Sequence, residues 1–356
     1  MLFTLTEETF DQEQQEITVS TTTQRKRIIP KHVFFLIALA MIMTSFASIL
    51  IRLAGKDITT FWVDRDPANA SVIAFWRLLF ATGGMFLGGL FTGNLHKFKK
   101  VDFKKDMPLL TLSGFMLAVH FISWNQSLQM TTIASSVTIA YLMPMFALIF
   151  SAVFLKERVN WMQYLVIFLT ICGAIVVGLG DLLSQGIGNG LDALFGDLLA
   201  LLGGISAAAY FVIGRKKREK LDIFSYATIV YAMCTIFIFI YLMIYNGFTL
   251  LPSVGREAII ILKLNWQHYL FFFLLALGPS CLGHSLYNYS LEYVKAPVIT
   301  ITALGEMFGA TLLAFAIFNE KPTHWSAYIG MFLVALGIVA TVILENRALK
   351  QQITNG

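Results

Sequence analysis

One acid lies in the middle of an otherwise apolar stretch near the carboxyl end of the chain. Residues 301–315 read ITALGEMFGATLLAF, and Glu306 is the ionisable side chain among them. A carboxylate inside hydrocarbon costs about 2.5–3.5 kcal/mol on insertion scales, so it normally faces the protein interior. Glu306 is therefore either a hydrogen-bonded packing acid or a cavity acid that binds and releases a proton. Its helical neighbours three and four positions away, which favour close helix packing, are Thr302, Ala303, Gly309 and Ala310.

Two histidines lie in apolar segments of their own. His120 is followed four positions later by Trp124, and His284 by Asn288. Such a histidine can be a hydrogen-bonded packing residue or part of a cavity wall, and both interpretations stay open. Neither belongs to an HExxH-type pair on one helix face, so no metal site is predicted. Together with aromatic residues and the acid, they make up the predicted cavity lining: His120, Trp124, Tyr141, Tyr210, His284, Tyr287, Thr302 and Glu306.

Two arginines and two prolines complete the set of residues that could act inside a membrane. Arg77 lies within an apolar stretch, where it could bond carbonyls or a carboxylate across the bundle as a structural or a coupling charge. Arg52 lies nearer an end, where its long side chain could reach the lipid headgroups. Pro144 and the pair Gly278-Pro279 should interrupt backbone hydrogen bonding, which is tolerated where the freed groups line protein or a cavity. We therefore predict hinges at these three residues.

The composition predicts the elements that carry these residues. Hydrophobic residues make up 57% of the 356-residue chain and charged residues 13%, whereas a soluble domain carries roughly 25% charge. The apolar residues fall in blocks of about 20, enough to cross about 30 Å of hydrocarbon as a helix. They do not alternate with polar residues as in an outer-membrane barrel. We predict an all-α membrane protein with ten transmembrane helices, at 33–54, 70–91, 107–128, 133–155, 161–180, 194–214, 223–246, 267–289, 296–318 and 325–344.

The positive charges outside these blocks predict the orientation of the chain. With the amino terminus inside, nineteen Lys and Arg residues lie in cytoplasmic segments and five in outer ones, as the positive-inside rule requires. Both termini are then cytoplasmic, and the protein lies in the cell membrane. The net charge of +5 reflects this asymmetry and does not indicate nucleic-acid binding. Residues 1–30 are predicted to be a disordered cytoplasmic tail and 346–356 a short cytoplasmic tail.

The two halves of the chain are similar to each other. A shift of 163 residues aligns Glu157 with Glu320 and several other residues in order, which predicts a duplication with five-helix repeats at 31–185 and 192–345. Because five is an odd number, the second repeat must be inverted in the membrane. Inverted repeats can open a shared cavity to either side in turn, which makes a carrier the leading hypothesis. Other aligned pairs are Asn125 with Asn288, Ser127 with Ser290 and Ala140 with Ala303.

Three stretches resemble EamA domains of the drug/metabolite transporter superfamily. Residues 141–177 follow its pattern of apolar-x-Pro, an apolar run, Glu-Arg, an aromatic turn and a Gly-containing helix. Residues 75–87 (FWRLLFATGGMFL) resemble the second helix with its arginine, and 302–340 resemble the closing helices of a second domain. The resemblance covers nearly the whole chain outside its tails. One departure is Met307, which stands where many relatives have proline, so a helix break beside Glu306 is less expected here than in the family.

The resemblance implies transport of small organic metabolites, often the export of amino acids or related partly apolar or aromatic compounds, by proton coupling or exchange. A nucleotide-sugar or phosphate-ester antiporter is the alternative within transport. Such substrates call for cations deep in the bundle, and no Lys or Arg occurs between Lys263 and Lys295. A non-transporting receptor or scaffold also stays open.

An enzyme is not predicted from this sequence. Its acids and histidines are single and dispersed, whereas catalysis needs clustered nucleophiles, bases or metal ligands. The three cysteines stand at unrelated spacings within apolar blocks and suggest no disulfide framework. We accordingly expect no cofactor and no nucleic-acid partner. The expected partners are a small-molecule substrate and the lipid bilayer, and a homodimer is an open alternative.

Overall fold

The computed structural model describes residues 30–55, 70–155, 161–245, 266–294, 296–322 and 324–354. Within these ranges every regular element is a helix and no strand occurs, as the composition predicts. The predicted amino-terminal tail lies outside the described residues except for Pro30. The helices are α1 (Lys31–Ser45), α2 (Ala47–Gly55), α3 (Ala70–Phe91), α4 (Met107–Met130), α5 (Ile133–Ala140), α6 (Met143–Leu155), α7 (Trp161–Arg218), α8 (Ile223–Tyr245), α9 (Trp266–Leu275), α10 (Ser285–Ser290), α11 (Ala296–Thr302), α12 (Leu304–Phe318) and α13 (Trp325–Thr354), with a 3-10 helix at Asn94–Lys100 and a π-helix at Ala276–His284.

Many of these helices are built to cross a bilayer. Among the described residues, seven helical segments are long and apolar enough to do so, and two shorter apolar helices follow. Large apolar side chains such as Phe35, Leu312 and Phe332 face outward, where hydrocarbon rather than water would cover them. The chain is an integral, multi-pass membrane protein. The count of ten crossings stays a prediction. The seven segments are His32–Ala54, Ala70–Phe91, Met107–Met130, Ile133–Phe154, Gly190–Arg218, Ile223–Ile244 and Trp266–Ser290.

The helix α7 contains the fifth and sixth predicted blocks together. It has 58 residues and is therefore about 87 Å long, nearly three times the hydrocarbon thickness. The described part of its first half packs on α13, where Gly173 meets the backbone of Gly330. Its second half packs on α4 and α5. The two halves thus belong to different parts of the bundle. The last helix likewise continues beyond residue 345 to Thr354, through most of the predicted carboxyl-terminal tail.

Several apolar blocks are interrupted in mid-course. The fourth block breaks between α5 and α6, where the amide of Leu142 bonds the carbonyl of Ile139 in place of the α-helical partner. Pro144 is the second residue of α6, a position where its missing amide hydrogen costs no helical hydrogen bond. In the eighth block, Pro279 lies inside the π-helix. Backbone interruptions therefore occur at each predicted hinge, and whether they move stays a prediction.

The ninth block also breaks, at a place several residues away from its proline. α11 ends at Thr302, α12 begins at Leu304, and the amide of Glu306 bonds the carbonyl of Ala303 at 2.9 Å. Ala303 is the repeat counterpart of Ala140, where α5 ends. The two blocks are thus interrupted at equivalent places. The missing proline at Met307 does not prevent the break, which places Glu306 in the first turn of a new helix.

An ion cluster ties α4 to the end of α7. Asp106 is buried just before α4 and accepts hydrogen bonds from Lys217 at 2.9 Å and Lys220 at 2.6 Å. Burial alone would raise the pKa of the Asp106 carboxyl. The hydrogen bonds from Lys220, Lys217 and the Asp102 amide more than reverse that effect and hold the pKa well below its ordinary value. The ionised acid therefore stabilises the folded state.

Replacing Asp106 with asparagine should lower stability most at neutral pH. Lys217 would lose its charge partner, and breaking a buried pair costs about 3–5 kcal/mol. Because the carboxyl pKa is lower in the folded state, its contribution is present above about pH 4 and is lost as the pH falls further. The melting temperatures of wild type and Asp106→Asn in detergent should therefore converge at acid pH. The exposed Asp192→Asn is the control, and a gap independent of pH would contradict this account.

Candidate functional site

A narrow cavity lies where the two repeats meet. Its volume is about 40 Å³, which is large enough for water molecules but far below the roughly 300–1,000 Å³ of a ligand pocket. The walls come from α4 to α7, the π-helix, α10 and the break before α12. They are aromatic and apolar apart from one carboxylate and two imidazoles. The lining residues are His120, Trp124, Ala140, Tyr141, Met143, Ala207, Phe211, His284, Tyr287, Ala303 and Glu306.

Glu306 meets a phenol from the other repeat. The hydroxyl of Tyr141 donates a hydrogen bond to Oε2 of Glu306, and the carboxylate is 6% exposed. Tyr141 lies at the break between α5 and α6, so the two interrupted blocks present one residue each. Glu306 lies in the first turn of α12, where the helix dipole favours a negative charge. Thr44 of α1 lies beside the same carboxylate. The acid is thus buried but provided with donors.

The two histidines come together on one wall of the cavity. His120 and His284 have ring centroids 6.2 Å apart, although they are 164 residues apart in sequence. Nδ1 of His120 lies 2.9 Å from the carbonyl of Gly203. Since a carbonyl only accepts, this nitrogen donates, which in a neutral ring leaves Nε2 as an acceptor. His120 also stacks on Trp124 at 5.7 Å. Within the part of the chain that the structure describes, Nδ1 of His284 and the indole N–H of Trp124 have no hydrogen-bond partner.

Arg77 lies behind this wall. Its side chain is fully buried, and its Nε donates to the hydroxyl of Ser280 at 2.7 Å. Ser280 belongs to the π-helix, so the hydroxyl that accepts this bond lies on the widened turn of that helix. The guanidinium carbon lies 4.3 Å from the ring centroid of Phe121. Arg77 therefore bonds a hydroxyl across the bundle, where the sequence predicted carbonyls or a carboxylate, and it interacts with Glu306 electrostatically.

The structure brings six of the eight predicted lining residues to one cavity. It places the other two elsewhere: the hydroxyl of Tyr210 accepts a hydrogen bond from Asn288 at 2.5 Å, and Thr302 donates to the carbonyl of Ile299 at 2.8 Å. Phe211, next to Tyr210, faces the cavity instead, and Met143 lines it too. Both were missed because the rotational phase of α7 and the position of the break before α6 are set by packing. An apolar sequence with low amphipathicity carries no signal for either.

Small residues let α7 approach the break between α5 and α6. A Cβ atom added to Gly204 would lie 2.5 Å from the carbonyl oxygen of Ala140. The neighbouring Gly203 is the carbonyl partner of His120. This close packing agrees with the general role of small residues between membrane helices. It also fixes the backbone that presents Tyr141 to the cavity.

Gly204→Ala should therefore disrupt the site. Its methyl group would collide with a backbone oxygen, which cannot rotate away, and overpacking of this kind costs about 1–3 kcal/mol. We expect a lower melting temperature in detergent and a shift of Tyr141 relative to Glu306. Gly83→Ala is the matched control, because a Cβ atom there meets nothing within 4 Å. Equal melting temperatures for the two variants would contradict the predicted collision.

The described residues contain no group of three or more His, Cys, Asp or Glu side chains that could hold a metal ion.

Both halves of the chain match one known protein family. The model of the EamA-like transporter family matches the chain twice, at residues 31–179 and 194–343. The chain belongs to the EamA-like transporter family. Two matches in tandem give the two-repeat architecture that the self-similarity predicts, within the drug/metabolite transporter superfamily.

Curated relatives carry transporter names along much of the chain. An uncharacterized transporter of Synechocystis sp. is 24% identical over 86% of both chains. An uncharacterized transporter of Archaeoglobus fulgidus is 23% identical over 88% of this chain and 98% of the relative. Human solute carrier family 35 member G1 is 22% identical over 67% of this chain and 63% of its own length. Membrane transport is thus the function class of this EamA-like protein.

A solved structure has the same fold. The crystal structure of another protein superimposes on 89% of this chain and 98% of its own, with a TM-score of 0.61 and 15% sequence identity. At that identity the likeness shows the fold alone. The cavity chemistry of the EamA-like protein must therefore be argued from its own residues.

Proposed function

We propose that this EamA-like protein is a secondary transporter that exports amino acids or related partly apolar or aromatic compounds by alternating access. The observation that carries the proposal is the buried Glu306, hydrogen-bonded to Tyr141 in an aromatic cavity between the two repeats. A carboxylate inside a membrane bundle is costly and commonly marks an ion or substrate pathway. Aromatic walls suit a substrate with an apolar body.

The interrupted blocks supply the motion in this proposal. A cavity of about 40 Å³ cannot admit a metabolite, so binding requires the walls to move apart on one side. The breaks at Leu142 and Ala303 divide their blocks into half-helices. Each half can tilt without breaking a full helical ladder. Pro144, Gly278 and Pro279 act as hinges, and the inverted repeats exchange the open side.

Glu306 supplies the coupling. In the occluded state the acid is nearly inaccessible, so it exchanges a proton only when the cavity opens. Protonation on one side and release on the other link substrate flux to the pH gradient, either directly or through exchange. The phenol of Tyr141 orients the carboxylate and holds its ionised form.

The proposed topology places both termini in the cytoplasm and the protein in the cell membrane. The basic cytoplasmic segments support this arrangement. Single cysteines introduced beside Glu157, outside the described residues, and beside Glu320 should react with a membrane-impermeant maleimide from opposite sides. Labelling of both from one side would overturn the inverted orientation.

Flux through the purified protein tests the proposal. Proteoliposomes loaded with radiolabelled amino acids, amines or aromatic acids should release at least one solute faster than protein-free vesicles, with saturation and dependence on a pH gradient. Gly204→Ala, in which the site is disturbed, serves as a negative control. If no solute of the panel is released faster than from protein-free vesicles, the transport proposal fails, and the result favours a receptor or scaffold role.

The cavity walls do not favour a nucleotide-sugar or phosphate-ester antiporter. The described residues that line the cavity include no Lys or Arg, whereas phosphate recognition calls for several cations. Arg77 is one guanidinium, and it lies behind Phe121. A substrate with a single carboxylate is the more suitable anion for it.

A further inference from the structure

Most hydrogen-bond donors of Arg77 have no partner among the described residues. Nε is bonded to Ser280 at 2.7 Å, but Nη1 and Nη2 meet no acceptor there, although the side chain is fully buried. A guanidinium stays charged in proteins, and a buried charge without a full set of partners is costly. The bond to Ser280 holds the Nε side in place. The Nη edge is therefore a fixed pair of donors that suits one carboxylate in a bidentate geometry.

This edge lies one aromatic ring away from the cavity. The guanidinium carbon is 4.3 Å from the centroid of Phe121, and Phe121 is 5.4 Å from the centroid of His284, which lines the cavity. Admission of any metabolite requires the walls to separate. A rotation of the Phe121 ring during that separation would join the Arg77 edge to the space beside Glu306. Two opposite charges would then face one enlarged cavity.

We propose that Arg77 binds the carboxylate of the transported substrate, while Glu306 pairs with the substrate's amino group or, when the substrate has none, carries a proton. The inference rests on the proposed transport function and specifies its substrate class. The loaded site then has no net charge. The same holds for the unloaded site, where the ionised Glu306 and Arg77 balance each other.

Net charge decides between substrate classes because a charge carried across the bundle core is costly. A zwitterion keeps the site neutral when Glu306 is ionised, and a monocarboxylic acid does so when Glu306 is protonated. An organic cation would leave a charge of +1. The other titratable groups around Glu306 are Tyr141, Tyr287, His120 and His284, and this charge balance takes both imidazoles in their neutral form. From the remaining neighbours, α1 contributes Thr44 and α2 contributes Arg52, which is already paired with Glu320.

A series of four compounds with the same aromatic ring tests the proposal. Phenylalanine carries both charges, and phenylpropanoate lacks the amino group. Phenethylamine lacks the carboxylate, and phenylalaninamide has a neutral amide where phenylalanine has the carboxylate. In proteoliposomes containing the full-length wild type, the first two should be carried, and the last two at least tenfold more slowly. Phenylalanine flux should rise with pH as Glu306 ionises, whereas phenylpropanoate flux should fall.

Variants separate the two charges. Arg77→Gln should weaken binding of phenylalanine and phenylpropanoate at least tenfold. Arg77→Lys should retain part of the affinity, because lysine keeps the positive charge without the bidentate geometry. Glu306→Gln should keep phenylpropanoate flux at every pH and lose phenylalanine flux. Lys99→Gln is the control, because this exposed cation lies in the 3-10 helix and not in the cavity lining. Size-exclusion profiles establish that each variant is folded, and the wild-type series stands even if Arg77→Gln does not fold.

The outcomes distinguish this inference from the transport proposal. If phenethylamine is carried as fast as phenylalanine, or if Arg77→Gln binds phenylalanine with wild-type affinity, the role of Arg77 is overturned while transport stands. If other solutes are carried and none of these four is, the assignment of an aromatic carboxylate substrate is overturned. If no solute of the wider panel moves, both proposals fall.

Discussion

Glu306→Gln is expected to leave the protein folded and to remove the pH dependence of transport. Glutamine has nearly the shape of the protonated acid and can still accept the hydrogen bond from Tyr141, so packing of the first turn of α12 should survive. At pH values where the protonation state of Glu306 that supports transport is the minor one, wild-type flux should change about tenfold per pH unit. The variant should stay within about twofold of the level that wild type reaches at low pH.

The measurement is initial flux in proteoliposomes across a series of symmetrical pH values. Tyr141→Phe is the matched variant, because it removes the hydrogen-bond donor and keeps the titrating acid. Its profile should be displaced along the pH axis but keep its amplitude. If Glu306→Gln retains the wild-type pH profile, Glu306 is a packing acid and the coupling group lies elsewhere.

Glu320→Gln is expected to destabilise the fold more than any surface change. Oε2 of Glu320 lies 3.1 Å from Nη1 of Arg52, and its Oε1 accepts the amide of Ile133 at 2.7 Å. Arg52 also donates to the carbonyl of Thr131 at 2.8 Å. One network thus joins the end of α2, the start of α5 and the turn after α12. Arg52 is 3% exposed, so the expectation that it reaches the headgroups is wrong, because a carboxylate and a carbonyl are available inside.

The size of the effect follows from burial. Removing the carboxylate charge would leave Arg52 buried without a counter-charge, and breaking such a pair costs about 3–5 kcal/mol. Replacing both partners, as in Arg52→Met with Glu320→Gln, should recover part of the loss because no uncompensated charge remains. Melting temperatures in detergent check both expectations. Glu219→Gln, which removes an exposed partner 4.0 Å from Arg215, is the control and should change little.

A double-mutant cycle would isolate the pair. A coupling energy near zero between Arg52 and Glu320 would show that each residue acts through its other contacts alone. In that case the network would be a set of separate helix-end bonds. We expect instead that most of the loss in Glu320→Gln disappears when Arg52 is absent.

The helices were predictable because their signals are local. Each residue of an apolar block prefers hydrocarbon whatever its neighbours do, and a backbone in hydrocarbon must satisfy its own hydrogen bonds as a helix. Pro144 and Pro279 lack an amide hydrogen, so interruptions could be placed there. The break at Ala303 could not be placed, because no residue at that position forbids a helix. After the break, α12 packs closely against α1, where Gly309 approaches Ser45. Such a contact between distant segments is not visible in the sequence.

The candidate site was predictable by residue type and not by arrangement. Six lining residues were selected because acids, imidazoles and aromatic rings are informative inside hydrocarbon. Tyr210 was chosen over Phe211 because a hydroxyl suggests chemistry, yet that hydroxyl is occupied by Asn288. The continuity of α7 was also unexpected, since nothing in blocks five and six marks how they are joined.

The residues alone indicate a membrane environment, the helices, the duplication and the few charged side chains that must be accommodated inside. The polar partner of each of these side chains is known only from the packed fold. Tyr141 and Glu306 are 165 residues apart, and Arg77 reaches Ser280 across 203. Hydropathy acts on each residue separately, whereas a hydrogen bond depends on two positions and two directions. Those are fixed when the helices pack, which is why the chemistry of the cavity appears only in the fold.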